Sequence, residues 1–104
     1  MLAYLIDPLA KTVTAIEHDG MLHNIYRQLN CRLIDAVRLD EGDTVYIDDE
    51  GALYEPMAEN GVFNLKGYPS PLFGRGMVLG SNDEGVSVEP RISLAAMTAM
   101  TVFW

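Results

Sequence analysis

Apolar and polar positions alternate along residues 34–51, and this pattern predicts a β-hairpin. Residues 34–39 follow the two-residue period of a half-buried strand, and residues 44–48 are rich in β-branched and aromatic side chains. The connector between them contains Gly42, which can adopt the positive φ that a tight turn requires. We therefore expect two antiparallel strands joined by an acidic turn.

The first third of the chain predicts a second hairpin and a helix. Residues 2–6 are an apolar run that ends in a turn signal, and residues 12–17 alternate. Apolar side chains in residues 22–29 recur with helical spacing, with Asp19 suited to capping the start of the helix and Asn30 to ending it. The chain therefore begins β-β-α-β-β, and we expect the helix to pack across one face of a sheet.

The second half predicts shorter elements. Three strands and one further extended piece are expected, at residues 62–65, 77–80, 86–89 and 53–56. Two prolines and three glycines in residues 67–76 argue against a regular element there. Ser93 is a suitable N-cap for a last helix over residues 94–100, and we expect the apolar residues 102–104 to close the core.

Length and composition agree with one α+β domain over residues 1–104. We predict a mostly antiparallel sheet of about five to seven strands, one helix across it and a C-terminal helix. With 104 residues, 49% of them apolar, the chain can build a single modest core. No apolar run reaches the roughly 20 residues of a membrane span, and the N-terminal residues, which lack a basic region and a long apolar core, lead us to expect no secretory signal. We expect no membrane partner and a cytoplasmic location, with which the single cysteine, Cys31, agrees.

The net charge of −8 is concentrated in one segment. Residues 35–59 contain nine of the fifteen acidic residues and one base, Arg38, whereas the other acids and bases are equal in number. This disfavours direct binding to nucleic acid, which requires clustered Lys and Arg. It is compatible with a basic protein partner, although solubility alone is the commoner reason for such a distribution. The candidate partner-binding residues are the hairpin acids Asp40, Glu41, Asp43, Asp48, Asp49 and Glu50.

A second candidate site lies in residues 68–75. Arg75 stands between two glycines, in a segment that also contains Tyr68 and two prolines. Its guanidinium could bind a phosphate or carboxylate while Tyr68 stacks on a ring, which gives an alternative function as a small-ligand module for a nucleotide or other anion. The competing interpretation, which we favour, is that Arg75 pairs with the acidic hairpin.

No motif in the sequence indicates catalysis, a cofactor or a metal. The glycines of residues 74–80 miss the G-x-G-x-x-G spacing by one residue, and the acids do not fit a calcium-binding loop. His18 and His23 are interpreted as surface or capping residues, because no third ligand lies near them. We therefore expect a non-enzymatic protein without cofactor or metal. A homodimer through an open sheet edge or the apolar C-terminus stays open.

Several of these motifs occur together in one known family. They are LIDP at residues 5–8, TVT at 12–14, Ile25-Tyr26, Cys31, Ile34-Asp35, the DEGD and VYIDDEG segments of the hairpin, and GYPSPLFGRGMVLG at 67–80. Over roughly residues 4–85 the chain resembles a family of small phage- and plasmid-borne proteins that is catalogued only as a domain of unknown function. The resemblance implies an accessory protein of a mobile element in a bacterial cytoplasm. It implies no activity, cofactor or catalytic residue. Our leading hypothesis is an interaction module for a basic host or phage protein, active in counter-defence or host takeover.

Overall fold

A computed structural model describes residues 1–50 and 61–104, with the backbone alone of Glu41. The described residues form nine strands and two helices, which confirms the predicted α+β class. The elements are β1 Leu2–Asp7, β2 Thr12–Glu17, α1 Leu22–Leu29, β3 Ile34–Arg38, β4 Asp43–Asp48, β5 Val62–Leu65, β6 Leu72–Phe73, β7 Gly76–Ser81, β8 Ser87–Val88, α2 Leu94–Met100 and β9 Thr101–Phe103. The extended piece expected at residues 53–56 lies outside the described residues.

Six strands form the main sheet, and all of their pairings are antiparallel. Its order is β2-β1-β7-β4-β3, with β8 paired to the end of β7. The two hairpins predicted in the first half therefore lie on opposite sides of β7. Among the described strands, β2 and β3 form the two edges of this sheet. A second, small sheet has the order β6-β5-β9.

The two faces of the main sheet are covered by different layers. On one face, Ile25 and Leu29 of α1 pack against a cluster that includes Ala3, Met77 and Leu79. On the other face, the small sheet and α2 cover a larger apolar cluster, which contains Tyr4, Ile6, Val37, Val45, Val78, Phe63, Leu65, Leu72 and Met97. The molecule thus has three layers, and the main sheet is buried on both faces.

Gly76 permits the closest approach between the two sheets. A Cβ built on Gly76 would lie 3.1 Å from Cζ of Phe63 and 3.2 Å from Cγ1 of Val45. Phe63 is fully buried, so its ring has little room to move aside. A larger residue at position 76 would force the small sheet away from the main sheet.

Three of the four predictions for the ends of the two helices are confirmed, and one is wrong. The Ser93 side chain accepts a hydrogen bond from the Ala96 amide at 3.1 Å, which confirms the predicted N-cap of α2. Asn30 ends α1 in the left-handed conformation with φ of 53°, as predicted. The predicted helix start at residue 22 also holds. Asp19, however, is not the N-cap: its carboxylate accepts from the Met21 amide before the helix begins, and Met21 occupies the cap position.

Two expectations for the second half were wrong in part. The segment 67–76 contains a short strand, β6, because Leu72 and Phe73 pair with β5 of the small sheet. The C-terminal residues do form a strand, but Val102 is 47% exposed and Trp104 is 67% exposed. Only part of the apolar C-terminus therefore closes the core.

Candidate functional site

The acidic hairpin is present as predicted. β3 and β4 pair without interruption from Ile34 opposite Asp48 to Arg38 opposite Thr44. A 3₁₀ turn, Asp40–Gly42, joins them, and Gly42 has a φ of +93° that disfavours residues with a Cβ. The acids carried by the hairpin nevertheless lie in very different environments.

Asp43 is a buried structural residue. It is 1% exposed, and its carboxylate accepts hydrogen bonds from the Arg91 amide at 2.9 and 3.0 Å and from the Ile92 amide at 2.7 Å. These bonds fix the segment that leads into α2 against the start of β4. Asp43 therefore presents no surface to a partner.

Asp48 and Glu50 make contacts within the protein. Asp48 is buried, and its carboxylate accepts from the Glu50 amide at 2.9 Å. The Glu50 carboxylate accepts from both Nε and an Nη of Arg32, at 2.7 and 2.9 Å. This two-point contact lowers the pKa of Glu50 below its ordinary value. Much of the charge at this end of the hairpin is already paired or buried.

Three acidic side chains around the hairpin are exposed. Asp40 follows β3, Asp49 follows β4, and Asp35 lies on β3 itself. The Asp49 amide donates to the Leu33 carbonyl, so Asp49 stands beside the start of β3. These three residues, which we call the acidic rim, therefore extend along β3 from one end to the other. Glu41 was also predicted to bind a partner, but its side chain lies outside the described part of the protein.

β3 presents backbone groups on its outer side. The Leu39 amide bonds to the Asp43 carbonyl, and the alternation of an antiparallel ladder then directs the amides of Ile34, Ala36 and Arg38 away from β4. The Asp35 carboxylate accepts from the Ala36 amide at 2.8 Å and so covers the central one. This side-chain bond occupies one of the outward donors that another strand would otherwise use.

Tyr68 and Arg75 do not form one site. Tyr68 lines a cleft between β3, the end of β5 and α2, whereas Arg75 lines a different cleft beside α1. Nor does Arg75 pair with the acidic hairpin in the described structure: its guanidinium donates to the Gln28 carbonyl of α1 at 3.3 Å. The residues that sequence proximity suggested as one binding unit are separated by the fold.

The Tyr68 cleft has an apolar floor and a charged mouth. Its volume is about 350 Å³, and its floor consists of buried or half-buried apolar side chains, among them Val37, Leu65, Ile92 and Met100. Arg38, Lys66, Tyr68 and Asp40 stand at the mouth and are exposed. Sequence reasoning missed Arg38 and Lys66 because Arg38 lies on β3 and Lys66 in the turn after β5, far apart in the chain.

The Arg75 cleft is larger and more polar. It has a volume of about 650 Å³ and is also lined by Arg27, Glu17 and His18. His18 was expected at the surface or in a capping role; it is buried, and its Nδ1 accepts from the Gly20 amide at 2.8 Å, which caps the turn before α1. Glu17 is engaged by the N-terminal ammonium group.

Comparison with known proteins assigns the chain to a family. The model of a family described as "Domain of unknown function (DUF3846)" matches residues 1–99. The chain belongs to this family. This confirms the resemblance to a domain of unknown function and extends it beyond the predicted residues 4–85.

A curated relative of this DUF3846 protein is the "Uncharacterized protein y4iR" of Sinorhizobium fredii (strain NBRC 101917 / NGR234). It is 33% identical over 95 residues, a match that covers 88% of this chain and 56% of the relative. The chain therefore spans about half the length of the curated relative. No solved structure matches the chain significantly.

Metal-ligating side chains and the single thiol were compared across the described part of this DUF3846 protein. In residues 1–50 and 61–104, no three His, Cys, Asp or Glu side chains come together as a metal-binding group. Burial and the nearby negative charge of Asp48 raise the pKa of the Cys31 thiol to about 11, so Cys31 is a weak nucleophile at neutral pH. No helix among these residues is long and apolar enough to cross a membrane.

Proposed function

We propose that this DUF3846 protein is a non-enzymatic interaction module of a phage, plasmid or other mobile element, acting in the cytoplasm of a bacterial host. Its contact surface is the outer edge of β3 together with the acidic rim, Asp35, Asp40 and Asp49. The partner presents an extended basic segment that pairs with β3 as an additional strand. The observation that carries this proposal is the position of β3, which among the described strands is an edge strand with outward amides and an acid at each end.

Backbone pairing would supply most of the affinity of such a contact. A strand added to a sheet edge makes main-chain hydrogen bonds, and alternate side chains then give specificity. On β3 the outward amide of Ala36 is covered by the Asp35 carboxylate, so an incoming carbonyl must displace it. The released carboxylate can then pair with a Lys or Arg of the partner. Asp35 thus favours basic segments and disfavours neutral or acidic ones.

The acidic rim would guide the approach of the partner. Asp40 and Asp49 are exposed at the two ends of β3. Complementary charge raises the association rate more than it raises affinity, and salt weakens the effect. Charge reversal at Asp40 and Asp49 should therefore lower capture at low salt and have a smaller effect at moderate salt.

The decisive experiment removes one outward amide without disturbing the fold. Ala36→Pro deletes the central donor of the β3 edge, and because that amide points away from β4 no bond of the ladder is lost. The full-length protein and this variant would be used to capture partners from bacterial lysate, followed by mass spectrometry and titration of the purified partner. We expect Ala36→Pro to lower the affinity for that partner at least tenfold.

The chain offers a matched control on the opposite edge. Ala15 of β2 is also exposed, and the bonds between Met1 and His18 set a ladder in which the Ala15 amide points outward as well. Ala15→Pro should leave capture unchanged. Equal binding by both proline variants, with urea unfolding showing both to be folded, would exclude strand addition at β3.

A further inference from the structure

We propose that β2 is the interface through which two copies of this chain form a symmetric homodimer. The two β2 strands pair antiparallel about a two-fold axis at Thr14, so that the two main sheets become one continuous sheet. Among the described strands β3 forms the opposite edge of the main sheet, so each copy keeps the contact surface proposed above. The dimer does not depend on that proposal.

β2 is an edge strand without the usual protections. Among the described strands it pairs with β1 alone, in a register that no bulge interrupts. Sheets commonly protect such an edge with charged residues, proline or a bulge. Residues 12–16 contain no charge and no proline, and all of them except Ala15 are β-branched. Because β3 carries two charged side chains, Asp35 and Arg38, β2 is the edge better suited to a second copy of itself.

The middle of β2 is open to solvent and offers backbone groups to another strand. Thr14 and Ala15 are both exposed. The mutual backbone bonds between Met1 and His18 set the ladder between β1 and β2. Its alternation directs the amides and carbonyls of Val13 and Ala15 away from β1. A second strand can therefore form hydrogen bonds with these groups.

A two-fold axis at Thr14 satisfies these outward groups. It places Val13 of one copy opposite Ala15 of the other, and each such pair exchanges both of its N–H···O bonds. Thr14 then faces Thr14 of the second copy as a non-hydrogen-bonded pair. A shift by one residue would instead place the outward groups opposite residues whose backbone groups already bond to β1.

The charges at the ends of β2 favour the same register. Opposite charges that face each other across neighbouring strands stabilise a sheet, and like charges destabilise it. With the axis at Thr14, Lys11 directly before β2 lies opposite Glu17 of the second copy, and the symmetry makes this contact twice. Both side chains are exposed, although Oε1 of Glu17 also accepts from the N-terminal ammonium group. An axis at Ala15 would set Glu17 against Val13 and lose both contacts.

Sedimentation velocity of the full chain measures this association without any other partner. We expect a monomer–dimer equilibrium with a dissociation constant on the order of 1–100 µM, since two paired edge strands bury less than a standard interface. Ala15→Pro removes the same outward amide from both copies and should weaken the dimer at least about tenfold. Ala36→Pro, the equivalent change at the β3 edge, is the matched control and should leave the dimer unchanged. Thr14→Lys keeps every backbone group but brings like charges together at the axis, so it should weaken the dimer more at low salt than at high salt.

Disulfide trapping tests the register of the two strands. The Cα atoms of a non-hydrogen-bonded antiparallel pair lie about 4.5 Å apart, which a disulfide can span. In a Cys31→Ser background, Thr14→Cys should therefore form a disulfide-linked dimer when oxidised glutathione is added. Thr12→Cys, which is also exposed and lies on the same face of β2, is the matched control. The axis places its two copies about 13 Å apart along the strands, so it should not be linked.

Three results would overturn the proposal. A monomer at every concentration up to about 1 mM would show that β2 does not self-associate. Equal weakening by Ala15→Pro and Ala36→Pro, with circular dichroism showing both to be folded, would remove the assignment to β2. Linking of Thr12→Cys as readily as Thr14→Cys would exclude the axis at Thr14. The proposed function is tested separately, because Ala36→Pro should lower partner capture without changing the dimer.

Discussion

Asp43→Ala tests whether one buried carboxylate holds the segment that leads into α2 against the start of β4. Asp43 is 1% exposed, and its two oxygens accept three hydrogen-bond contacts from the amides of Arg91 and Ile92. The substitution removes every one of these contacts. It also leaves two backbone amides without an acceptor in a part-buried position.

The expected loss of stability is large for a single substitution. A hydrogen bond to a charged group contributes about 1.5–3 kcal/mol, and an unsatisfied buried donor costs about 1–3 kcal/mol. Two amides share the Asp43 carboxylate, so we expect the free energy of unfolding to fall by about 3–5 kcal/mol. Because a domain of this size has only about 5–15 kcal/mol in total, the variant should be close to unfolding at 37 °C.

Urea unfolding followed by circular dichroism measures this loss directly. Asp43→Asn keeps one carbonyl oxygen as an acceptor and should lose less stability than Asp43→Ala. Asp40→Asn, three residues away and exposed, should change the free energy of unfolding by no more than about 0.5 kcal/mol. A loss below about 1 kcal/mol in Asp43→Ala, with the slope of the transition unchanged, would refute the structural role assigned to this carboxylate.

Three further predictions concern the core, the thiol and the exposed ion pair. Gly76→Ala should lower the free energy of unfolding by about 1–3 kcal/mol through overpacking against Phe63, measured in urea; an unchanged midpoint would contradict the close approach. Cys31, with its pKa raised to about 11, should react with a thiol reagent at pH 8 far more slowly in the folded than in the urea-unfolded protein. Since unfolding restores the ordinary thiol pKa of 9.0, this group's contribution to stability should be lost as the pH rises from about 9 to 11. The Glu50 carboxylate should titrate below its ordinary value by NMR, and Arg32→Gln should raise that pKa; the stabilisation is present at neutral pH and is lost as the pH falls into the acidic range.

Elements that depend on a few neighbouring residues could be predicted from the sequence. The β3–β4 hairpin and the Ser93 cap are of this kind, because their hydrogen bonds join residues close in the chain. The strand at Leu72 and Phe73 could not be predicted, since it exists only through pairing with β5 in a segment whose prolines and glycines argue against regular structure. The exposed Trp104 is similar: its indole Nε1–H donates to Oδ1 of Asn64 at 2.6 Å, a contact that no local pattern indicates.

The candidate sites also combine features that neighbouring residues determine with features that depend on distant contacts. The acidic composition of the hairpin was visible in the sequence, but the partners of Asp43 lie 48 and 49 residues away, so its burial was not. Sequence proximity joined Tyr68 to Arg75, and the fold instead brings Tyr68 to a cleft with Lys66 and Arg38. Which cations converge on a site is set by the packing of the two sheets, and spacing along the chain carries no information about it.

The charge that a segment carries is only an upper limit on the charge that its surface presents. Residues 35–59, the hairpin and the segment after it, account for the net −8 of the chain, yet Asp43 and Asp48 are buried and Glu50 is held by Arg32. The exposed acids that remain on β3 and at its ends act over a screening length of about 8 Å at physiological salt, so in the proposed contact they would steer a partner without holding it. In the proposed contact, affinity would then come mainly from the outward backbone groups of β3. For this reason the loss of one amide in Ala36→Pro should weaken a partner at physiological salt more than reversal of two charges at Asp40 and Asp49.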